Sequence, residues 1–235
     1  MILLINNGKP NMEDLHYIKY IRNVLKKNNI DFIETKKIED ISLKTNKKIK
    51  GIIISGSPLK LSEPLLLEEY GYIFHYLLHL PNIPVLGICF GCQLLSMICS
   101  GFQLENQKKY ICDIQPVRTD NSHPLFQQNI SQNTLHFCTF KTPSSRADLN
   151  GEKCTGCAFE MRNGVNQFQF CFSDLIISNK KMKNVREIAW FHYKNKKTPC
   201  AFEFPNHKYG ILFHPEYLEE TNYILLNFYQ ICLSI

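Results

Sequence analysis

Between Pro84 and Ile98 the chain reads Pro-Val-Leu-Gly-Ile-Cys-Phe-Gly-Cys-Gln-Leu-Leu-Ser-Met-Ile, a pattern that predicts a buried strand, a one-residue turn and an apolar helix. Gly87 and Gly91 stand two residues before and two after Cys89. A sharp strand-to-helix turn needs glycines at that spacing, because side chains there would collide across it. Cys89 should then project alone from the top of a sheet, with its sulfur facing the first backbone N–H groups of the helix. Their partial positive charge suits an anionic nucleophile. By itself this leaves a plainer reading open, since most free cysteines are small buried apolar residues.

A second segment, Tyr209-Gly-Ile-Leu-Phe-His-Pro-Glu216, is a short apolar strand ending in His-Pro-Glu. With it the chain holds a nucleophile, a general base and a carboxylate to orient the base. A lone histidine would more often be a satisfied structural residue; beside the elbow, His214 reads as the base. Together, Gly87-Ile-Cys-Phe-Gly-Cys-Gln93 and Phe213-His-Pro-Glu216 closely resemble the signatures of the class I glutamine amidotransferases.

The resemblance implies an α/β, flavodoxin-like fold with an open, largely parallel sheet, helices on both faces and the site at the carboxyl ends of the strands. It implies that Cys89, His214 and Glu216 form a catalytic triad. Ser55-Gly-Ser-Pro58 matches the family's Gly-Gly-Pro turn, with Ser57 in place of the second glycine. The N–H groups of Ser57 and Phe90 would then form an oxyanion hole, and Gly56 and Gln93 would line the substrate pocket. The implied substrate is glutamine or a γ-glutamyl compound, and the implied chemistry needs no cofactor.

Two departures from the family pattern stand out. Only Ser100-Gly101-Phe102 occurs where a Gly-Gly pair usually follows the nucleophile helix, and His136 to Pro143 replaces a Ser-His-Gly-Asp-like segment. Family members hold the ends of glutamine near there, so the substrate's tail is expected to be read differently.

At 235 residues the chain suits one domain spanning 1–235. The stretch 144–183 exceeds what a minimal domain needs and reads as an insertion that covers or extends the site. A net charge of +6 comes largely from lysines in the first fifty residues and from the runs 179–183 and 194–197. Such runs read as solvated loops, and without aromatic-basic interleaving they do not point to nucleic acid. The apolar run at Met1–Ile5 is too short for a signal peptide, and no stretch approaches the roughly eighteen apolar residues of a membrane span. On these features a cytoplasmic location is expected, with the ten cysteines as free thiols. Cys154 and Cys157 would be half of a zinc site, but no second half follows, so an irregular loop is expected and no metal. His75 and His79 read as packing or surface residues.

Along the chain, Asn11–Asp14 should open a helix with Leu15, Ile18, Ile21, Val24 and Leu25 on one face, ended by Asn28 and Asn29. Strands are expected at Asp31–Thr35 and from Lys50 into the Ser55–Pro58 turn. Helices are expected from Glu63 to Leu80 and from Gln93 to Ser100, the latter capped by Gly101. Short strands outside the parallel order are expected at Ile111–Ile114 and Thr134–Phe140. Further strands follow at Val165–Phe172, Arg186–Phe191 and Pro199–Phe204, and Glu219–Leu233 forms a closing helix.

Three functions fit. The chain is a glutaminase that passes ammonia to a separate ATP-dependent synthase, a stand-alone γ-glutamyl peptide or amide hydrolase, or a non-catalytic interaction protein on the same fold. No synthetase-like nucleotide loop is present, so the first requires a partner.

Overall fold

The computed structural model describes residues 1–8, 16–36, 48–61, 82–101, 103–127, 146–147, 153–154, 166–177 and 184–235. Strands β1 (Ile2–Ile5), β3 (Gly51–Ile54) and β4 (Val85–Ile88) are apolar at nearly every position and buried at all of them. Such runs suit the middle of a parallel sheet, where both faces are covered. With β2 (Phe32–Thr35) and β11 (Lys208–Ile211) they form its parallel half, in the order β2-β1-β3-β4-β11. That order is the flavodoxin-like one expected.

The sheet continues through antiparallel neighbours, β10 (Lys196–Phe204), β9 (Arg186–Tyr193), β5 (Gln103–Thr119) and β8 (Asn166–Ile177). Strands outside the parallel order were expected, but only as short runs. Instead β5 is 17 residues long. Among the described strands its first part pairs with β8 alone, and Val117–Thr119 pairs with β9. A ribbon without a second neighbour has no need of the apolar alternation that reveals a strand in sequence, and Glu105–Lys109 shows none.

Helix α1 (His16–Lys27) buries Ile18, Ile21, Val24 and Leu25 and stops at Asn29, which takes φ 53°. Helix α2 (Phe90–Ser100) follows β4 and ends at Gly101 in the left-handed conformation expected of its cap. The closing segment differs from a single helix: Glu219–Thr221 is a 3-10 turn, and helix α3 runs from Tyr223 to Ser234. Tyr209 of β11 packs against Phe228 of α3, while its neighbour Gly210 abuts Cys92 of α2. Successive strand residues point to opposite faces, so α2 and α3 cover opposite sides of the sheet.

Lys194-Asn195 is not an open loop. It is a two-residue hairpin between β9 and β10 with φ 48° and 60°, as the right-handed twist of such a turn demands. Within the stretch read as an insertion, Cys154 does not lie in an irregular loop: Lys153–Cys154 (β7) pairs with Arg146–Ala147 (β6). The expected helix start at Asn11–Leu15, the helix 63–80 with His75 and His79, the segment 134–143, the lysines of 180–183 and Cys157 lie outside the described residues.

Candidate active site

Cys89 occupies the single position between β4 and α2, with φ 51° and ψ −103°. A residue with a Cβ rarely adopts this conformation, and the surroundings enforce it. The Cys89 N–H donates to the carbonyl of Ile211 at 2.8 Å, and its own carbonyl accepts the N–H of Gln93 at 3.0 Å. The flanking glycines are dictated by contact. A Cβ on Gly87 would lie 2.4 Å from the carbonyl oxygen of Gly91, and one on Gly91 would lie 2.4 Å from that of Ile54. Backbone strain of this kind, held by packing, places a side chain where an unstrained turn could not.

His214 follows β11 and is held from three directions. Its backbone N–H donates to the carbonyl of Gln169 in β8 at 2.8 Å. Its Nδ1 pairs with Oε1 of Glu216 at 2.7 Å, and both side chains are buried. Gly56 stands so close that a Cβ there would sit 2.9 Å from His214 Cε1 and 3.6 Å from Cys89 Cβ. Burial alone would push the imidazole toward its neutral form. The Glu216 carboxylate and the Cys89 sulfur outweigh burial and raise its pKa well above the ordinary histidine value. With Nδ1 committed to Glu216, Nε2 is the nitrogen that can exchange a proton with a reacting group.

The intervening turn is clamped by Thr221, whose hydroxyl contacts the carbonyls of Pro215 at 2.6 Å and Leu218 at 2.9 Å. Phe213, just before the histidine, stacks on Phe168 of β8 at 4.1 Å between ring centroids.

The Ser55–Pro58 turn is pinned to the end of β1 by Asn7. Its side-chain amide donates to the Ser55 carbonyl at 2.8 Å, and its N–H donates to Ser55 Oγ at 3.0 Å. The Ser57 hydroxyl in turn donates to the Asn7 carbonyl at 2.8 Å. Ser57 is absent from the left-handed backbone region, so a side chain is tolerated where the family pattern has glycine. Here that side chain ties down the turn.

Cys89, His214, Glu216 and Gly56 are therefore brought together. Ser57 lies in the same turn as Gly56, Phe90 is the first residue of α2, and Gln93 is buried one turn along that helix. Sequence reasoning did not single out Asn7, Gln169, Tyr217 or Thr221. Asn7 alone had a local signal, a polar pair directly after an apolar strand; the carbonyl of Gln169 had none.

Cys92, Cys99, Cys200 and Cys232 are free thiols packed in or against the core. Burial pushes the thiols of Cys92 and Cys200 far up, that of Cys99 to about 11 and that of Cys232 to about 12. Among the described residues no group of three or more His, Cys, Asp or Glu side chains is placed to hold a metal ion. Among them, too, no helix is long and apolar enough to cross a membrane.

Against curated protein sequences no match reaches significance. Among solved structures, the chain is similar to a protein of Thermoplasma acidophilum provisionally assigned as one subunit of GMP synthase. The TM-score is 0.68 at 19% identity, over 99% of this chain and 94% of the other. It is also similar to a glutamine amidotransferase of Thermotoga maritima, with a TM-score of 0.59 at 15% identity, over 99% and 83%. At such identities the likeness concerns the fold. The family model of class-I glutamine amidotransferases, however, matches residues 4–231, nearly the whole sequence, and the chain belongs to that family.

Proposed function

We propose that the chain hydrolyses the γ-amide of glutamine to glutamate and ammonia through a thioester on Cys89. The observation that carries this reading is the convergence of Cys89, His214 and Glu216 on one buried point beside Gly56.

The sulfur of Cys89 attacks the γ-carbonyl carbon, and the N–H groups of Ser57 and Phe90 receive the resulting oxyanion. The protonated His214 delivers a proton from Nε2 to the departing nitrogen as the C–N bond breaks, releasing ammonia and leaving a γ-glutamyl thioester. His214, now neutral, takes a proton from water as its oxygen attacks the thioester carbon. Breaking the C–S bond yields glutamate and restores the sulfur beside the protonated imidazole. Glu216 keeps the ring oriented and favours its charged form throughout. Gly56 and Gln93 line the pocket for the substrate.

In this reading the ammonia passes to a separate, ATP-dependent synthase in the cytoplasm. The near-complete coverage of the Thermoplasma protein, which is named as part of a synthase, supports that arrangement. The stretch 144–183 is an insertion in a single domain, and its strand β8 braces His214. Ammonia and glutamate assays on the purified chain test the proposal: glutamine should yield both in equal amounts, and the Cys89→Ala variant should yield neither. Rapid cleavage of γ-glutamyl dipeptides with little action on glutamine would overturn it in favour of a γ-glutamyl hydrolase.

A further inference from the structure

One side of the His214 imidazole is bounded by a residue to which the proposed chemistry gives no part. Glu216 holds the Nδ1 edge, Gly56 lies against Cε1 and Cys89 lies beside the ring. Tyr217 stands across it, with ring centroids 5.4 Å apart and planes at 68°. Tyr217 also packs against Tyr20 of α1, at 5.2 Å between ring centroids and 54° between planes. The backbone adds a weak tie, from the Tyr217 N–H to the His214 carbonyl at 3.4 Å.

Hydrogen bonds to Glu216 at Nδ1 and to Cys89 tie down the edges of the imidazole but still allow its plane to rock, because the outer torsion of histidine is broad. Tilt matters here, since Nε2 must face the sulfur and then the leaving nitrogen in turn. A flat, rigid ring standing nearly perpendicular to the imidazole limits that motion and keeps water from the His214–Glu216 pair. An aliphatic side chain could fill the volume without defining a plane.

We propose that Tyr217 is a positioning residue for His214: its ring, buttressed by Tyr20, is the wall that holds the imidazole plane between Glu216 and Cys89. The proposal rests on the glutaminase reading for its consequence in turnover, but its structural content can be read independently of activity.

The test compares Tyr217→Phe, Tyr217→Leu and Tyr20→Leu with the parent, following glutamine turnover and the NMR signal of the His214 Nδ1 proton. Tyr217→Leu should lower kcat by about tenfold with KM nearly unchanged. The proton signal should broaden through exchange with water, and His214 should titrate closer to the ordinary histidine value, below that of the parent. Tyr217→Phe should restore all three, because the wall needs the ring. Tyr20→Leu should move them the same way by less, and it makes the same test should Tyr217→Leu not fold. A sharp, unshifted proton signal and an unchanged pH profile in the leucine variants would overturn the proposal, whatever stability they lose. A parent that releases no ammonia from glutamine would instead overturn the glutaminase reading, while the proton signal would still decide the role of Tyr217.

Discussion

The backbone N–H of His214 donates to the carbonyl oxygen of Gln169 at 2.8 Å, forming an isolated antiparallel bridge between the segment that follows β11 and β8. The proposed base is thus gripped by its main chain from a strand in another part of the sequence. Its side chain is gripped by Glu216 two residues on. Cys89, the proposed nucleophile, is held differently, by the compression of a turn.

That compression predicts an inverted ranking of substitutions at Cys89. Glycine normally destabilises relative to alanine, but at φ 51° and ψ −103° a Cβ carries strain of about 1–3 kcal/mol. Cys89→Gly should therefore be more stable than Cys89→Ala by about 1 kcal/mol. Both should lose turnover by roughly 10⁴-fold or more, as removal of a nucleophile does. Urea denaturation of the two variants checks this; a more stable alanine variant would show the turn to be relaxed.

Gly87 is the complementary case. A methyl group there would lie 2.4 Å from the Gly91 carbonyl oxygen, and the obstacle is backbone rather than a movable side chain. Gly87→Ala should cost about 3 kcal/mol and displace α2 from the end of β4. Thermal unfolding measures the loss, and a melting temperature within a degree of the parent would contradict the close approach.

His214 has a pKa raised in the folded chain by Glu216 and Cys89 against the opposing effect of burial. A histidine whose folded pKa lies above its unfolded value, about 6.5, contributes stability that is fully present below pH ~6.5. That contribution is lost as the pH rises through the folded value. The unfolding free energy of the parent should therefore fall relative to His214→Gln as pH increases above about 6.5. Urea titrations of both proteins from pH 6 to 9 give the difference directly; a difference that grows with pH would reverse the assigned direction.

Asn7 supports the turn that carries the proposed oxyanion donor. Asn7→Ala removes the donor to the buried Ser55 carbonyl, and an unsatisfied group of that kind costs about 1–3 kcal/mol. Because the loss loosens Ser55, which begins the turn that carries Ser57, kcat should drop by about tenfold while KM changes little. Steady-state kinetics on glutamine decide it: a raised KM at unchanged kcat would assign Asn7 to substrate binding instead.

Among the site elements, those written in the sequence are the ones whose physics is local. A turn as sharp as that at Cys89 excludes side chains two residues to either side, so Gly87 and Gly91 announce it. Ile2–Ile5, Gly51–Ile54 and Val85–Ile88 announce buried parallel strands because both faces need apolar residues. Phe213-His-Pro-Glu216 shows its chemistry in consecutive side chains. Only the tertiary structure could decide that the Gln169 carbonyl would meet His214, since every residue carries a carbonyl and no side chain marks the one that is used. The same holds for the reach of β5, whose partner β8 is distant in the chain, and for Ser57, where the family pattern has glycine. Whether a Cβ is tolerated there depended on the backbone angle that Asn7, from the end of another strand, holds in place.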